Sequence, residues 1–114
     1  MKHIKAVLQP DKLADVRAAL EQSKCYRGII ITDVMGQGTQ KGIVQAWRGE
    51  KFQTDLIPKV EIDLIVKDEE AEEIVKKIHQ SARTGEIGDG KIFIYNVEEA
   101  IRIRTGETGD NALE

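Results

Sequence analysis

Residues 59–66 alternate in a way that leaves few options: Val60, Ile62, Leu64 and Val66 fall on one side, Glu61 and Asp63 on the other. A period of two is that of a strand with one face turned to a core. Such a strand needs a sheet beside it and a layer over its apolar face. The next segment supplies one, since Ala71, Ile74, Val75, Ile78 and Ala82 recur at helical spacing in a single apolar stripe behind Asp68, a candidate cap. Upstream, Ile4 to Leu8 reads as a short strand closed by Gln9-Pro10. Asp11 is placed to cap a helix carrying Leu13, Val16 and Leu20, and the β-branched run Ile29 to Val34 ends at Met35-Gly36. Ile92 to Val97 makes a fourth strand, followed by a helical turn at Glu98 to Ile101. The order β-α-β-β-α-β is the ferredoxin-like sandwich, an α+β fold.

At 114 residues the chain is expected to be a single domain spanning 1–114, with a core small enough for oligomerisation to help. From Gln37 to about Leu56 no hydrophobic period holds. A polar stretch of that length in a compact domain usually carries function or moves. Seventeen basic against twenty acidic side chains give a net charge of −3, so there is no general pull toward nucleic acid or an anionic membrane. The single cysteine, Cys25, excludes an internal disulfide and suits a reducing compartment. The opening MKHIKAVLQP is too short and polar for a signal peptide. No apolar run approaches the ~20 residues of a membrane span, and a cytoplasmic location is expected. The tail TGDNALE reads as frayed.

Chemistry concentrates in Thr84-Gly85-Glu86-Ile87-Gly88-Asp89-Gly90-Lys91-Ile92-Phe93 and in Arg102-Ile103-Arg104-Thr105-Gly106-Glu107. Three glycines remove side-chain bulk, so backbone N–H groups can wrap an anion. Lys91 can add a point charge where the loop becomes a strand. Arg102 and Arg104, two apart on a segment read as extended, would project from one face and clamp phosphate oxygens bidentately. Gly-Asp-Gly is also an ordinary tight turn, and Arg-x-Arg an ordinary solvated strand side. Together they favour a polyphosphate site, most simply a nucleotide. No Gly-Lys-Ser/Thr follows a four-residue spacer, and Gly36-Gln37-Gly38 has no third glycine or following helix, so neither of the familiar phosphate-loop fingerprints applies.

The remaining candidates are weaker. His3 and His79 stand on separate elements without spaced partners, and Cys25 lies in a turn. Trp47 is either a partner anchor or a packing residue. The acidic run Asp68-Glu69-Glu70 with Glu72-Glu73 complements a helix N-terminus as a solvated face. No nucleophile–base set can be assembled, so the chain reads as a non-enzyme; the alternative is slow ATP hydrolysis on the same phosphate loops, against which no general base stands near the cradle.

TGEIGDGKIF followed by RIRTGE resembles the B-loop (83–91) and C-loop (102–107) of the PII signal-transduction family of nitrogen regulators. The resemblance extends through IKAVLQPDKLADVRAAL, DVMGQGTQKG and WRGEKFQTDLIPKVEIDLIV, and covers roughly residues 2 to 108. It implies a homotrimer with ATP or ADP in each cleft between subunits, joined by magnesium and 2-oxoglutarate. One subunit would supply Gly88, Asp89, Gly90 and Lys91 together with Asp63, Leu64 and Ile65; Ile30, Gly36, Gly38, Thr39 and Gln40 would complete the nucleotide contacts. Arg102 and Arg104 would reach in from the neighbour. Gln40 matches the residue that touches both magnesium and 2-oxoglutarate, and Lys59 the lysine that pairs with the 2-oxoglutarate carboxylate. The unpatterned stretch, about 37–56, matches the T-loop that such proteins insert into partners.

By resemblance the partner is an ammonium transporter or a nitrogen-assimilation enzyme or regulator, with Arg48 and Trp47 as its contacts. No nucleic acid is implied, and a membrane only through a transporter. Three departures stand out. Gln9 replaces a lysine of the 2-oxoglutarate pocket, Ile30 a threonine near the adenine, and Phe52 the tyrosine that accepts a nucleotidyl group. Thr39, Ile43 and Ala46 also differ from the usual loop residues, and Ala46-Trp47 offers no hydroxyl before Arg48-Gly49.

Overall fold

The structure is a computed structural model that describes residues 1–37, 43–47, 50–54 and 56–114, the two segments 43–47 and 50–54 by their backbone alone. Strand β1 (Lys2–Leu8) leads into helix α1 (Leu13–Glu21) and strand β2 (Ile30–Gln37). Strands β3 (Ile43–Trp47) and β4 (Glu50–Thr54) follow, then the long β5 (Leu56–Val66), helix α2 (Ala71–Ala82) and β6 (Gly90–Asn96). The main sheet runs β2-β5-β1-β6, with every pair antiparallel. Ile4 sits opposite both Leu64 and Ile94, which fixes the register across β5, β1 and β6.

The alternation read from the sequence is the alternation of the fold. Ile4, Ala6 and Leu8 of β1 and Val60, Ile62, Leu64 and Val66 of β5 are buried under Val16 and Leu20 of α1 and Ile74 and Ile78 of α2. Leu13, Ala71, Val75 and Ala82 pack around that core. Both helices therefore cover one face. The other face carries His3, Lys5 and Val7, Glu61, Asp63 and Ile65, Ile30 and Thr32, and Phe93 and Tyr95, and no second layer lies over it among the described residues. Phe93 is 43% exposed and Ile30 69%, an unusual amount of apolar surface for a sheet face.

Several local expectations give way to stronger ones. Asp11 does not cap α1: Pro10 opens a 3-10 turn, Pro10–Lys12, so the chain enters the helix from Gln9 and no side chain caps Lys12. Asp68 likewise lies inside a 3-10 turn, Asp68–Glu70, and pairs with the Met1 amino group at 2.8 Å. The N–H of Lys67 is met instead by the reaching-back carboxylate of Glu70 at 3.0 Å. Residues 98–101 form no helical turn, because Ile101 bridges Thr108 and the Glu99 carboxylate accepts from Ala100 and Gly109. The tail is not frayed. Gly109–Leu113 is a 3-10 turn, and Glu114 reaches Lys67 Nζ at 3.0 Å. Inside the stretch without a period, β3 and β4 pair antiparallel, with Trp47 opposite Glu50.

Candidate functional site

The glycine loop leaves α2 at Arg83 and enters β6 at Gly90. Its shape is set by one carboxylate. Asp89 accepts the N–H of Thr84 at 2.8 Å, the N–H of Gly85 at 2.9 Å and the Thr84 hydroxyl. The Thr84 hydroxyl and those backbone donors hold the Asp89 carboxyl below the usual carboxylate range. Thr84 Oγ1 in turn accepts the N–H of Glu86 at 3.1 Å. The donors at 84, 85 and 86 are thereby engaged, and among the described residues no partner stands against the N–H groups of Ile87 and Gly88 at the loop's tip. Sequence reasoning named the glycines and missed this use of Asp89. The signal was present in the Thr84–Asp89 pair flanking the glycines, as a short carboxylate that bonds local backbone.

Two neighbours hold the tip. Lys59 Nζ donates to the Gly88 carbonyl at 2.6 Å and Gln9 Nε2 to the same oxygen at 3.3 Å. Gly90 is where the loop presses on the sheet: its φ is +97°, and an added Cβ would lie 1.7 Å from the Val7 carbonyl oxygen. The loop, Lys59, Gly36, Val7, Ile57 and Phe93 enclose a hollow of about 580 Å³, at whose mouth Lys91 is exposed.

Asp63, Leu64, Ile65 and Ile30 belong to a different hollow, of about 640 Å³, at the other end of β2. Its floor follows from strand length. Ile30 pairs with Asp63, so Leu64 and Ile65 run past the first residue of β2: β1 pairs them on one side through Ile4 and His3, and on the β2 side no strand lies beside them among the described residues. His3 lines this hollow with its Nε2 2.7 Å from Asp63 Oδ1 and its ring 5.4 Å from that of Tyr95. Arg27, Ala112 and Leu113 close it. Within one chain, then, Asp63–Ile65 are not brought together with Gly88–Lys91.

The arginine segment is a tight turn over 103–105, not an extended strand, because Gly106 N–H returns to the Arg102 carbonyl at 2.7 Å and Arg102 N–H bonds the Glu107 carbonyl at 2.8 Å. Arg102 and Arg104 line neither hollow. Arg102 is half-buried, pairing with Glu107 at 3.1 Å, the Asn111 carbonyl at 3.0 Å and the Glu114 carbonyl. Arg104 is exposed and unpaired among the described residues. Gly38, Thr39, Gln40 and Arg48, and the side chains of Trp47 and Phe52, lie outside the described residues.

A match to the family model described as nitrogen regulatory protein P-II covers residues 1–107. The chain belongs to the nitrogen regulatory protein P-II family. It is 48% identical over 113 residues to nitrogen regulatory protein P-II 2 of Methanothermobacter thermautotrophicus, covering 99% of this chain and 97% of that one. It is 47% identical to the nitrogen regulatory protein P-II of Rhizobium meliloti and of Rhodospirillum rubrum, in each case across 99% of this chain and the whole of the relative. Full-length similarity at this level marks a P-II regulatory protein, and the ferredoxin-like sandwich is the fold that the resemblance implied.

The rest of this P-II chain offers little competing chemistry. No group of three or more His, Cys, Asp or Glu side chains stands ready for a metal ion among the described residues. Cys25 donates to Glu73 at 2.9 Å, and that bond pushes its thiol up, away from a reactive thiolate. No helix among the described residues is long and apolar enough to cross a membrane.

Proposed function

We propose that this P-II protein binds ATP or ADP in clefts between copies of the chain and reports the bound nucleotide to a nitrogen-metabolism partner through residues 37–56. The observation that carries the nucleotide reading is the glycine loop, with its N-terminal donors engaged by Asp89, the N–H groups of Ile87 and Gly88 at the tip without a partner among the described residues, and Lys91 beside them. This is an anion cradle with a cation at its edge.

The two hollows make sense as halves of one site built from two copies. The loop hollow of one subunit would take the phosphates. The hollow at Asp63–Ile65 of its neighbour would take the nucleoside, where the open backbone edge of Leu64 and Ile65 can pair with the polar edge of a base. Arg102 lies on the nucleoside side through its bonds to the tail, so the neighbour would also supply Arg102 and Arg104 to the phosphates. This reassigns Asp63–Ile65 from the loop's own subunit to the arginines' subunit. The uncovered sheet face bearing Ile30, Phe93 and Tyr95 supplies apolar area for a homotrimer.

Magnesium would accompany ATP through Gln40, and 2-oxoglutarate would lie near Lys59. Ligands shift the 37–56 segment only by their differential affinity for its conformations. The partner class is a membrane ammonium transporter or a nitrogen-assimilation enzyme or regulator, met through Trp47 and Arg48. Calorimetric titration with ATP and ADP tests the reading, with light scattering for the trimer. Arg104→Ala should weaken binding roughly tenfold or more, the cost of a charged hydrogen bond. No heat with either nucleotide in the wild-type protein refutes it.

A further inference from the structure

The C-terminal turn is fastened far more firmly than five residues of 3-10 helix could manage alone. At its start, Gly109 N–H donates to the Ala100 carbonyl at 3.0 Å and to Glu99 Oε1 at 2.8 Å. In its middle, the Arg102 guanidinium holds the Asn111 carbonyl at 3.0 Å. At its end, the Glu114 carboxylate meets Lys67 at 3.0 Å and Arg27 at 3.6 Å. Lys67 draws the Glu114 carboxyl below its usual range. Arg27 is itself locked to Glu70 by two bonds, at 2.7 and 2.9 Å. These fastenings come from three separate parts of the chain, residues 99–102, Lys67 and Arg27, and what they hold in place is an apolar pair. Ala112 and Leu113 line the same hollow as Leu64 and Ile65.

We infer that this turn is a built part of the nucleoside pocket: Leu113 packs against the base, and Glu114 is the positioning residue that keeps it there. A purine is a flat apolar body with a polar rim, and it needs an apolar wall for its face and hydrogen-bonding groups for its edge. Ile29, Ile30 and Leu113 offer the first, and the backbone edge of Leu64 and Ile65 that faces away from β1 and past the start of β2 the second. The same turn carries the Arg102 bonds, so the base wall and one phosphate-binding arginine are a single mechanical unit. The inference rests on the nucleotide reading above and adds to it the residues that recognise the base rather than the phosphates.

The test separates base from phosphate. Magnesium-ATP and sodium tripolyphosphate, which has no base, are each titrated into the wild-type trimer, Leu113→Ser and Leu113→Met. Leu113→Ser should weaken ATP roughly five- to twentyfold, the loss of a partly buried leucine contact, and leave tripolyphosphate unchanged. Leu113→Met keeps the apolar volume and should retain wild-type affinity, which also guards against misfolding of the serine variant. Equal ATP affinity in wild type and Leu113→Ser overturns the inference while leaving the nucleotide reading intact. A parallel loss of tripolyphosphate also overturns it, since the turn would then act through Arg102 alone. Failure of the wild-type protein to bind ATP overturns the nucleotide reading itself, and this one with it.

Discussion

Lys59 Nζ stands 2.6 Å from the carbonyl oxygen of Gly88, so the glycine loop is tied to β5 by a charged donor rather than by a ladder bond. Among the described residues Lys59 has no carboxylate partner; its charge is spent on orienting the loop tip. Substituting Lys59→Met should therefore loosen the loop as well as remove a cation. ATP affinity should fall by about 1.5–3 kcal/mol, the range for hydrogen bonds to charged groups. Hydrogen exchange should rise at Ile87 and Gly88. Unchanged exchange at those two amides would show that the bond does not hold the loop.

Gly90 tests the loop from the other side. An added Cβ at Gly90 meets the Val7 carbonyl oxygen at 1.7 Å and the Val7 carbonyl carbon at 2.8 Å, both backbone atoms that cannot swing away. Gly90→Ala should force β6 off β1 and cost roughly 3 kcal/mol or more, at the severe end for a point substitution. Gly85 has a similar φ, +88°, but its nearest neighbour is the flexible Arg83 guanidinium at 3.9 Å. Gly85→Ala should cost only the left-handed backbone penalty, about 1–2 kcal/mol. Urea unfolding of the two variants decides, and equal losses would show that crowding against Val7 is irrelevant.

Legibility in the sequence followed the range of the interaction. The stripes at 60–66 and 71–82 were readable because burial of one face imposes a period, and the fold obeys it at Ile62, Ile74 and Ile78. The caps at Asp11 and Asp68 misled because Pro10 and Glu70 offered the helices better starts a residue or two away. The turn at 98–101 and the pinned tail depend on Glu99, Arg102 and Glu114 finding partners across the chain, and no local pattern encodes that. In the site, the glycine cradle and Lys59 were visible as residue types. That Asp63–Ile65 keep company with the tail and not with the loop was invisible, because it follows from β2 stopping one residue short of Leu64.

The Arg27–Glu70 pair gives a pH signature. Arg27 holds the Glu70 carboxyl at about 2, against an ordinary 4.5, and the two side chains are 22% and 13% exposed. A depressed carboxyl stabilises the fold fully above its unfolded value. That contribution drains away as pH falls from 4.5 toward 2, because the unfolded chain binds the proton first. Allowing for partial solvent screening, its size is on the order of 2 kcal/mol. Glu70→Gln should thus be less stable than wild type at neutral pH, and the gap should close across that window. A gap that stays constant down to pH 2 would assign the loss to geometry and not to charge.

Arg102 and Arg104 should part company under substitution. Arg102 carries the bonds to Glu107, Asn111 and Glu114, so Arg102→Ala should lower both the melting temperature and nucleotide affinity. Arg104 makes no such bond, and Arg104→Ala should spare the melting temperature while costing roughly tenfold or more in affinity. Differential scanning calorimetry beside isothermal titration separates the two, and matched thermal losses would contradict the assignment of Arg102 as the tail's anchor.

Gln9 bears on the proposed binding of 2-oxoglutarate. Its amide reaches the Gly88 carbonyl at 3.3 Å, on the oxygen that Lys59 already engages at 2.6 Å, so one neutral and one charged donor share an acceptor. A dicarboxylate entering beside the loop needs its charges met, because an unpaired carboxylate in a part-buried site is costly. Lys59 must then choose between Gly88 and the ligand, and Gln9 contributes only a dipole. In Gln9→Lys, one ammonium can stay on Gly88 while the other is released to the carboxylate. Binding of 2-oxoglutarate to the magnesium-ATP complex should tighten by about 1–3 kcal/mol, roughly ten- to a hundredfold. The wild-type protein should accordingly respond to the ratio of ATP to ADP more than to 2-oxoglutarate. Titrating 2-oxoglutarate into both proteins in magnesium-ATP checks this, and equal micromolar affinity would show that a dipole at position 9 serves as well as a cation.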